Sequence, residues 1–442
     1  MFNGFEVEKT SGYGRKRHMT VAQFTVNQNH SEAGKNKNEA AESVAIIGAG
    51  IAGCAAALAL AKRHIPVQLF ESQDHEAVSQ NRVSLFALRP RLYRDVSPES
   101  EFYLHSYLYA VSQLTMHSQN KNIGWNKTGL IQLEGALNKR DKFSQETYSS
   151  IYPSSIFHSL TNEQARELSK LDLSTGGLYF PDGGFVETEK LYNFYLNAKG
   201  ISKNYNSPVK NLKYRDGKWT LYSAELTEIA KSRVVIIANS HGLTQFNQTA
   251  FLPISISHGY SNWLEAKNKN FEPTHVICGN KTIFPSTPFG EKGNLVAATY
   301  EESLTELSKL KAAKENVSGA NQAFTNQYFL SNQNKGTEVG TRCGTPDRIP
   351  YIGRVPNYAY TKKELAHLRR NAKADFNITD DCFLPNLYIS AGHGSNGLCT
   401  SSFGAEILAS LINGEPVPAS KRHISLTCPS RVIVRGLKKQ RI

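Results

Sequence analysis

Three glycines behind a short apolar run have the spacing of a loop that holds a pyrophosphate group. The run Val-Ala-Ile-Ile at 44–47 is typical of a strand buried on both faces, and the alanine-rich stretch after the glycines predicts a helix. Gly48 permits a tight turn, Gly50 lets a phosphate approach the backbone, and Gly53 lets the helix pack closely on the strand. The free amides at the start of the helix then face the phosphates.

An acid at the end of the next strand completes this pattern. Residues 65–70 (IPVQLF) predict a second strand, and Glu71 follows it, where its carboxylate can accept hydrogen bonds from ribose hydroxyls. A glycine turn alone is weak evidence, because an ordinary α/β domain can contain one. Here strand, helix, second strand and terminal acid all occur, so we predict a dinucleotide-binding βαβ unit. The motif itself does not distinguish FAD from NAD.

A second glycine-rich turn lies near the C-terminus. Residues 386–390 (NLYIS) predict a strand, 391–398 (AGHGSNGL) a turn and 399–413 a helix. The amides of such a turn would face an electron-rich group, such as the pyrimidine end of a flavin; the alternative is a plain helix cap. The residues predicted to contact a cofactor here are Gly394, Ser395, Asn396, Gly397 and Leu398.

Positioning these motifs requires a parallel sheet. Residues 233–239 (RVVIIAN) predict another buried strand, a recurrence that is typical of flavoproteins with two dinucleotide-type segments. Between the motifs, stretches such as 123–133 and 275–300 are rich in β-type residues and tight turns. We predict a nucleotide-binding domain built from separated pieces, with a β-rich domain inserted between them.

Composition narrows the class of protein. The 442 residues include 51 lysines and arginines against 38 acids, a charge of +13, which indicates a polyanionic partner or simply a basic soluble enzyme. The six cysteines form no CxxC pair and no zinc-type cluster, so we expect no metal and no disulfide. We recognise no signal peptide, and the uncharged run at 44–61 is explained by the glycine motif rather than a membrane span. We therefore expect a cytoplasmic protein without a membrane segment.

The first 42 residues form a separate part in this interpretation. Apolar and polar side chains alternate within 1–24 around a Ser-Gly-Tyr-Gly turn, which predicts a β-hairpin. The polar residues at 25–42 predict a flexible linker. A hairpin of two strands is only marginally stable alone, so its presence needs an explanation.

Several motifs resemble, in this order, those of a known enzyme family: GAGIAG with Glu71, GGLYFPDGG, IIANSHG, GTRCGTPDRIPYIGRVP and AGHGSNGL. The sequence is similar to the glycine oxidase/D-amino acid oxidase family over residues 43–442. Within it, the chain resembles the C-terminal FAD-dependent domain of the bifunctional tRNA 5-methylaminomethyl-2-thiouridine biosynthesis proteins. The segment GFEVEKTSGYGRKRHM resembles the last hairpin of the preceding methyltransferase domain, so 1–24 is interpreted as a remnant that carries no methyltransferase activity.

The resemblance implies the cofactor and the architecture. FAD is the expected cofactor, and the fold class is α/β (an α+β two-domain flavoprotein), in which a Rossmann-like FAD-binding domain carries an inserted β-rich substrate domain. The expected pieces are an FAD-binding domain at 43–98, 185–250 and 341–420, a substrate domain at 99–184 and 251–340, and a basic C-terminal tail at 421–442.

The resemblance also implies an oxidation at a CH–NH group. The carboxymethyl group of 5-carboxymethylaminomethyl(-2-thio)uridine at the tRNA wobble position is removed as glyoxylate, which leaves 5-aminomethyl(-2-thio)uridine. FAD takes the hydride, so the protein must bind the carboxylate and orient the amine. Arg342 lies where the family's substrate arginine falls, and a planar guanidinium suits a carboxylate; the alternative is a structural ion pair. Tyr300 is expected to line the pocket or to serve packing, and His393 to position the substrate.

Clustered basic residues are the expected contacts to tRNA phosphates, with a solvated basic tail as the alternative. They are Arg422, Arg431, Arg435, Lys438, Lys439 and Arg441, with a second group at Lys362, Lys363, Arg369 and Arg370. A methyltransferase domain or protein is a further expected partner. The chain itself is expected to be a monomer.

Three departures from the family pattern leave two other functions open. Gln80–Ser84 replaces a GNRxG-like segment, His258–Tyr260 replaces Arg-Gly-Gln, and Asn396 replaces an arginine. One alternative is a small-molecule amine oxidase of the glycine or sarcosine type. The other is a flavin-binding remnant without activity. The basic C-terminal residues favour tRNA over the first alternative, whereas the departures favour the second.

Overall fold

The computed structural model describes most of the chain. The described residues are 5–12, 17–24, 43–75, 83–134, 148, 151–268, 271–286 and 293–442. The predicted linker at 25–42 lies outside them, as do Gln80, Asn81 and Arg82 of the first departure.

The strands of the described residues are, in chain order, β1 (Phe5–Ser11), β2 (His18–Phe24), β3 (Val44–Ile47), β4 (Val67–Phe70), β5 (Leu85–Leu88), β6 (Trp125–Asn126), β7 (Leu130–Leu133), β8 (His158–Leu160), β9 (Gly177–Phe180), β10 (Gly184–Glu187), β11 (Ile201–Asn204), β12 (Asn211–Arg215), β13 (Lys218–Tyr222), β14 (Glu228–Ser232), β15 (Val234–Ile237), β16 (Ser255–Ala266), β17 (Val276–Cys278), β18 (Thr282–Ile283), β19 (Asn294–Ala297), β20 (Phe329–Gly344), β21 (Tyr351–Pro356) and β22 (Phe383–Ala391). The α-helices are α1 (Ile51–Ala61), α2 (Pro98–Ser118), α3 (Asn162–Ser169), α4 (Thr188–Leu196), α5 (Glu306–Asn321), α6 (Tyr358–Glu364), α7 (Gly397–Asn413), α8 (Lys421–Thr427) and α9 (Ser430–Lys438).

A six-stranded sheet forms the nucleotide-binding half. Its order is β11-β4-β3-β15-β22-β21, and all neighbours run parallel except β21, which is antiparallel to β22. Helix α1 joins the parallel neighbours β3 and β4, as a βαβ unit requires. One face buries residues of α1, α2 and α7, including Leu60, Phe102 and Phe403, and the other buries Trp219 of the β12–β14 meander. The predicted Rossmann-like, mixed α/β fold is confirmed.

An eight-stranded sheet forms the β-rich half. Its order is β20-β16-β19-β18-β17-β7-β9-β8. Helix α5 packs on this sheet, with Val317 and Ala320 buried beside Leu264 and Phe329. The long strands β16 and β20 pair antiparallel and extend from this core to the nucleotide-binding half, where β20 ends at Gly344.

Helix α2 packs with the nucleotide-binding half, although the predicted boundary at residue 99 assigns it to the substrate domain. Phe102, Tyr103 and Tyr107 are buried in the same core as α1 and α7. We therefore place α2 with the nucleotide-binding half. The division of the chain into domains otherwise remains a prediction.

Residues 421–442, which were predicted as a basic C-terminal tail, are folded and pack on the rest of the structure. Helices α8 and α9 occupy most of it, and Ile433, Val434 and Leu437 pack against Leu365 and Leu368. Apolar residues at i, i+1 and i+4 give α9 a buried stripe. The many basic residues around this stripe led to the prediction of a tail, because the prediction considered charge and not the spacing of the apolar residues.

Strands β1 and β2 form an antiparallel hairpin, with Phe5 opposite Phe24 and Ser11 opposite His18. The interpretation of this hairpin as a methyltransferase remnant remains a prediction. Within the described ranges, no helix combines the length and the apolar character that crossing a membrane requires.

Candidate active site

The first glycine turn connects β3 to α1. Gly48 has φ +105°, and a Cβ there would lie 2.7 Å from the Ala238 carbonyl oxygen. A Cβ at Gly53 would lie 1.9 Å from the Gly48 carbonyl oxygen, so both positions require glycine for packing. A Cβ at Gly50 would meet nothing within 4 Å. Space therefore remains at the N-terminus of α1, where no side chain caps the free amides.

The carboxylate of Glu71 lies against this turn. Its Oε2 accepts a hydrogen bond from the Ala49 amide at 2.8 Å, and its Oε1 accepts one from the Gln73 amide at 3.1 Å. These bonds hold the acid at the end of β4, beside the glycines, as the βαβ pattern predicts. Its contact with a ribose remains a prediction.

Asn239 is a polar residue at this turn that the sequence analysis did not select. A Cβ at Gly48 would lie 2.7 Å from its Cα, and its Oδ1 is enclosed without a hydrogen-bond partner among the described residues. The only sequence signal is its position at the end of the predicted strand 233–239. An acceptor left unpaired in a polar turn is suited to a ligand hydroxyl.

The second glycine turn lies beside the first. It follows β22, and Gly392 and Gly394 have φ +74° and +56°. A short 3-10 turn at Gly394–Asn396 leads into α7, whose N-terminus also lacks a side-chain cap. A Cβ at Gly397 would lie 3.3 Å from Cγ2 of Ile51, the first residue of α1. The structure therefore brings the two predicted groups of cofactor residues to one edge of the sheet.

His393 supports this turn from the inside. Its Nε2 lies 3.1 Å from the Ser390 hydroxyl and its Nδ1 2.9 Å from the Thr400 hydroxyl, so both ring nitrogens are engaged. Burial lowers the pKa of His393 to about 4, so the ring is neutral near pH 7. These contacts make His393 a positioning residue for the turn itself, and the expectation that it positions the substrate remains a prediction.

Arg342 lies on β20 and reaches over β16. A Cβ at Gly259 would lie 2.2 Å from its Nη1, so a larger residue there would displace the guanidinium from this position. This Nη1 is buried and has no hydrogen-bond partner among the described residues. The guanidinium carbon lies 5.0 Å from the centre of the Tyr300 ring. A buried, unpaired donor of fixed charge is suited to an anionic ligand.

Tyr300 connects Arg342 to the second glycine turn. Its hydroxyl lies 3.5 Å from the Ser395 hydroxyl, and the side chain is 67% exposed. A Cβ at Gly344 would lie 4.0 Å from the Gly394 Cα, so the end of β20 touches the same turn. Three residues selected from distant parts of the sequence, Arg342, Tyr300 and Ser395, therefore meet at one place.

Glu338 fixes the strand that carries Arg342, and the sequence analysis did not select it. It lies four residues before Arg342, on the same face of β20. Its carboxylate accepts hydrogen bonds from the Ser84 amide at 2.8 Å, from the Ser84 hydroxyl and from the Trp263 indole at 2.7 Å. Ser84, the last residue of the first departure from the family pattern, is thereby tied to β20.

Two residues of β16 that differ from the family pattern, His258 and Tyr260, have partners within the fold. His258 Nδ1 lies 3.0 Å from the Thr341 hydroxyl, and its backbone pairs with that of Glu301. Tyr260 is 3% exposed, and its hydroxyl lies 3.1 Å from the Ser308 hydroxyl at the start of α5. Tyr260 thus anchors α5.

The predicted phosphate contacts come together on the surface around α6, α8 and α9. Arg422, Lys439, Arg441, Lys363, Arg369 and Arg370 are exposed, and Lys362 and Lys438 are partly exposed. Gln440 Nε2 donates to the Arg369 carbonyl at 3.2 Å, and Lys438 lies 4.9 Å from the Phe376 ring. Two groups of basic residues that are distant in sequence therefore form one surface, which we call the basic helix surface.

Arg431 is the exception in this group and corrects its prediction as a tRNA contact. Its side chain is 6% exposed and binds the carboxylate of Asp347 at 3.0 Å. The guanidinium also lies 4.4 Å from the Tyr351 ring centre. Arg435 shares the same carboxylate but is half-exposed. Arg431 is thus a buried ion-pair residue.

The donor set fits FAD. The open space at Gly50, the uncapped starts of α1 and α7 and the unpaired Asn239 Oδ1 supply what a pyrophosphate, a flavin edge and a hydroxyl need. Among the described residues, no group of three histidine, cysteine or acidic side chains could hold a metal ion. Fold and site thus define a dinucleotide-dependent oxidoreductase.

The family model described as DAO, FAD dependent oxidoreductase, matches residues 43–411. The chain belongs to this family of FAD-dependent oxidoreductases, and FAD is its cofactor.

The chain is similar to tRNA 5-methylaminomethyl-2-thiouridine biosynthesis bifunctional proteins MnmC. The protein of Legionella pneumophila (strain Philadelphia 1) is 27% identical over 444 residues, which are 97% of this chain and 64% of that protein. The protein of Stutzerimonas stutzeri (strain A1501) is 25% identical over 98% of this chain and 66% of its own length. The chain thus spans about two thirds of the curated relatives it matches.

Solved structures with the same fold include glycine oxidase from Geobacillus kaustophilus and Amadoriase I from Aspergillus fumigatus. The first is 18% identical, with a TM-score of 0.62 over 88% of this chain and 99% of that one. The second is 15% identical, with a TM-score of 0.66 over 90% and 91%.

Proposed function

We propose that this chain oxidises the carboxymethylaminomethyl group of 5-carboxymethylaminomethyl(-2-thio)uridine at the tRNA wobble position, giving 5-aminomethyl(-2-thio)uridine and glyoxylate. The observation that carries the proposal is the Arg342 guanidinium, whose buried Nη1 has no hydrogen-bond partner among the described residues, beside Tyr300 and the glycine turn at Ser395. The names of the similar bifunctional proteins, which refer to tRNA modification, give it further support.

Arg342 supplies the fixed cation for the substrate carboxylate. A planar fork can donate two parallel hydrogen bonds to a carboxylate, which fixes both its place and its orientation. Tyr300 forms one wall beside it, and Gly259 leaves the space above β16 open for the guanidinium. FAD, when bound, would supply the hydride acceptor, and water would then hydrolyse the C=N bond of the oxidised substrate to give glyoxylate and the primary amine. The residues therefore need only bind the carboxylate and hold the neutral amine in place.

The concentration of positive charge on the basic helix surface favours a polyanionic substrate. Within 357–375 and 421–442 the sequence has twelve lysines and arginines against two acids, while the whole chain has a surplus of 13. Phosphate contacts of this kind give affinity without reading sequence. A methyltransferase domain or protein as a working partner, a monomeric state and a cytoplasmic location belong to the same proposal.

A visible spectrum of the purified holoprotein, followed by anaerobic addition of candidate substrates, tests this function. We expect a flavin spectrum that bleaches with tRNA carrying the carboxymethylaminomethyl group and stays unchanged with glycine or sarcosine. Bleaching by glycine or sarcosine alone would instead assign a small-molecule amine oxidase, which Arg342 would serve equally. Bound flavin that no substrate bleaches would indicate the non-catalytic alternative.

A further inference from the structure

Four large apolar side chains are exposed between the candidate active site and the second turn of α5. Tyr300 is 67% exposed, Leu304 48%, Leu307 78% and Leu310 66%. Leu307 and Leu310 are three residues apart and therefore lie on the same side of the helix. Single exposed leucines are common, whereas a group of them marks an interaction surface.

The orientation of α5 is fixed, so this exposure is a property of the fold. Ala312, Asn316 and Ala320 on the opposite side are fully buried. The Asn316 amide donates to the Tyr260 carbonyl at 2.9 Å and to Asn262 Oδ1 at 2.7 Å. Rotation of the helix to bury the leucines would break these buried hydrogen bonds.

The start of α5 is tied to the candidate active site. The Tyr260 hydroxyl donates to the Thr305 carbonyl at 3.3 Å, next to the Gly259 that accommodates Arg342. Glu301 pairs through its backbone with His258, at 2.7 and 2.8 Å, and so fixes the preceding Tyr300. The exposed leucines therefore begin at the mouth of the site.

Two exposed lysines continue this side of the helix. Lys311 and Lys314 lie four and seven residues after Leu307, on the same face. The face thus changes from apolar beside the site to cationic further along. We call Tyr300, Leu304, Leu307, Leu310, Lys311 and Lys314 the α5 face.

We infer that the α5 face binds the unpaired nucleotides that flank the reacting nucleotide of an RNA loop. The inference rests on the proposed function. A wobble nucleotide that enters the site leaves its neighbours outside the mouth, with their bases unstacked. Base rings pack on a tyrosine and on apolar side chains, and lysines bind the phosphates between them. The order of apolar and cationic residues along the α5 face matches that arrangement.

The double variant Leu307→Ser, Leu310→Ser tests the inference, because neither leucine touches the site. We expect KM for the modified tRNA to rise at least about fivefold, since each base contact contributes separately. Oxidation of the free carboxymethylaminomethyl nucleoside and the flavin content should stay unchanged. Binding of an unmodified anticodon stem–loop RNA to the holoprotein, measured by fluorescence anisotropy, should weaken in parallel. Leu108→Ser, another exposed leucine on a helix, is the matched control.

Three outcomes would overturn the inference. Unchanged RNA affinity and unchanged KM for tRNA would show that no nucleotide contacts these leucines. The same conclusion would hold if the variant lost binding to a methyltransferase domain while its RNA affinity and its KM stayed unchanged. An equal loss with tRNA and nucleoside would mean that the helix supports the pocket itself. If the unchanged protein oxidises no tRNA, the proposed function fails first and the inference with it.

Discussion

At the scale of single residues, the proposed chemistry depends on an arginine that has a buried nitrogen without a hydrogen-bond partner in the described part of the chain. Arg342 has a buried Nη1 with no hydrogen bond among the described residues, held between Gly259 and the Tyr300 ring. A structural arginine would be expected to bind a carboxylate of the chain, as Arg431 does. Leaving a buried charge-bearing donor unpaired costs free energy, which a ligand carboxylate would recover.

Arg342→Leu should retain flavin and lose activity. Removing one partner of a buried charge pair costs about 2–5 kcal/mol, so we expect kcat/KM for the carboxymethylaminomethyl nucleoside to fall about 30-fold or more. The flavin spectrum and steady-state oxidation measure the two effects. Arg215→Leu, at an arginine whose side chain is 87% exposed, should change neither. Unchanged turnover in the Arg342 variant would mean that another cationic residue binds the substrate carboxylate.

Gly50→Val should fold and fail to hold FAD. Gly50 has φ −74°, which any residue adopts, and no protein atom lies within 4 Å of a Cβ there. The added side chain would occupy the space proposed for the pyrophosphate. We expect a far-UV circular dichroism spectrum close to that of the unchanged protein and no yellow colour. Gly53→Ala should instead lose folded protein, because its Cβ has no room. A Gly50→Val protein with stoichiometric FAD would contradict the assignment.

At the scale of elements, helix α9 is coupled to the loop after β20. Asp347 in that loop binds Arg431 and Arg435 of α9, and its Oδ1 accepts from the Thr345 hydroxyl at 2.9 Å. A Cβ at Gly392 would lie 2.6 Å from Cγ2 of Thr345, so this loop packs on the second glycine turn. The C-terminal helices thus support the two backbone segments that flank the site.

Arg431→Met should destabilise the fold in a pH-dependent way. Burial would raise the pKa of Asp347, but the hydrogen bonds and charge of Arg431 hold it well below its usual range. Breaking a buried pair costs about 3–5 kcal/mol, and we expect about 2–3 here because Arg435 remains. A depressed pKa stabilises the fold above the unfolded value of about 3.9, and the effect is lost as the pH falls through the folded value.

Urea unfolding at several pH values measures the free energy of unfolding of the Arg431→Met variant and of the unchanged protein. The difference between the two proteins should be constant from pH 7 to about pH 5 and shrink below about pH 4. Arg435→Met is the control on the same carboxylate and should destabilise less, because its side chain is 46% exposed. A loss for Arg431→Met that is the same at all pH values would mean that packing on Tyr351, not the ion pair, is responsible.

How far the sequence predicts these elements depends on the range of the interactions. The βαβ unit follows from local patterns, because Gly53 and Glu71 contact residues of the same unit, whereas the neighbours that require a glycine at Gly48, Ala238 and Asn239, lie far away in sequence. The meeting of Arg342, Tyr300 and Ser395 needs two sheets to be placed against each other, which no local pattern encodes. The family resemblance supplied Arg342, whereas the partners of Glu338 and the burial of Arg431 became visible only through tertiary contacts.

At the scale of the whole molecule, the excess of positive charge is concentrated rather than spread. The segments 357–375 and 421–442 hold most of the surplus, and packing of α9 against Leu365 and Leu368 brings them together. A concentrated surface binds phosphates and releases their counterions, whereas scattered lysines only improve solubility. The difference is measurable as a salt dependence.

The triple variant Lys438→Gln, Lys439→Gln, Arg441→Gln should therefore bind tRNA more weakly and with a smaller salt dependence. Each phosphate contact contributes about 0.9 to the slope of log K against log salt for duplex regions, so we expect the slope to fall by about 2–3. Lys213→Gln, Lys218→Gln, Lys231→Gln on the β12–β14 meander removes the same charge elsewhere and should leave the slope nearly unchanged. Oxidation of the free nucleoside should stay constant in both variants, because neither set of residues touches the site. Equal slopes in the two triple variants would show that net charge alone draws the tRNA, and the basic helix surface would lose its role.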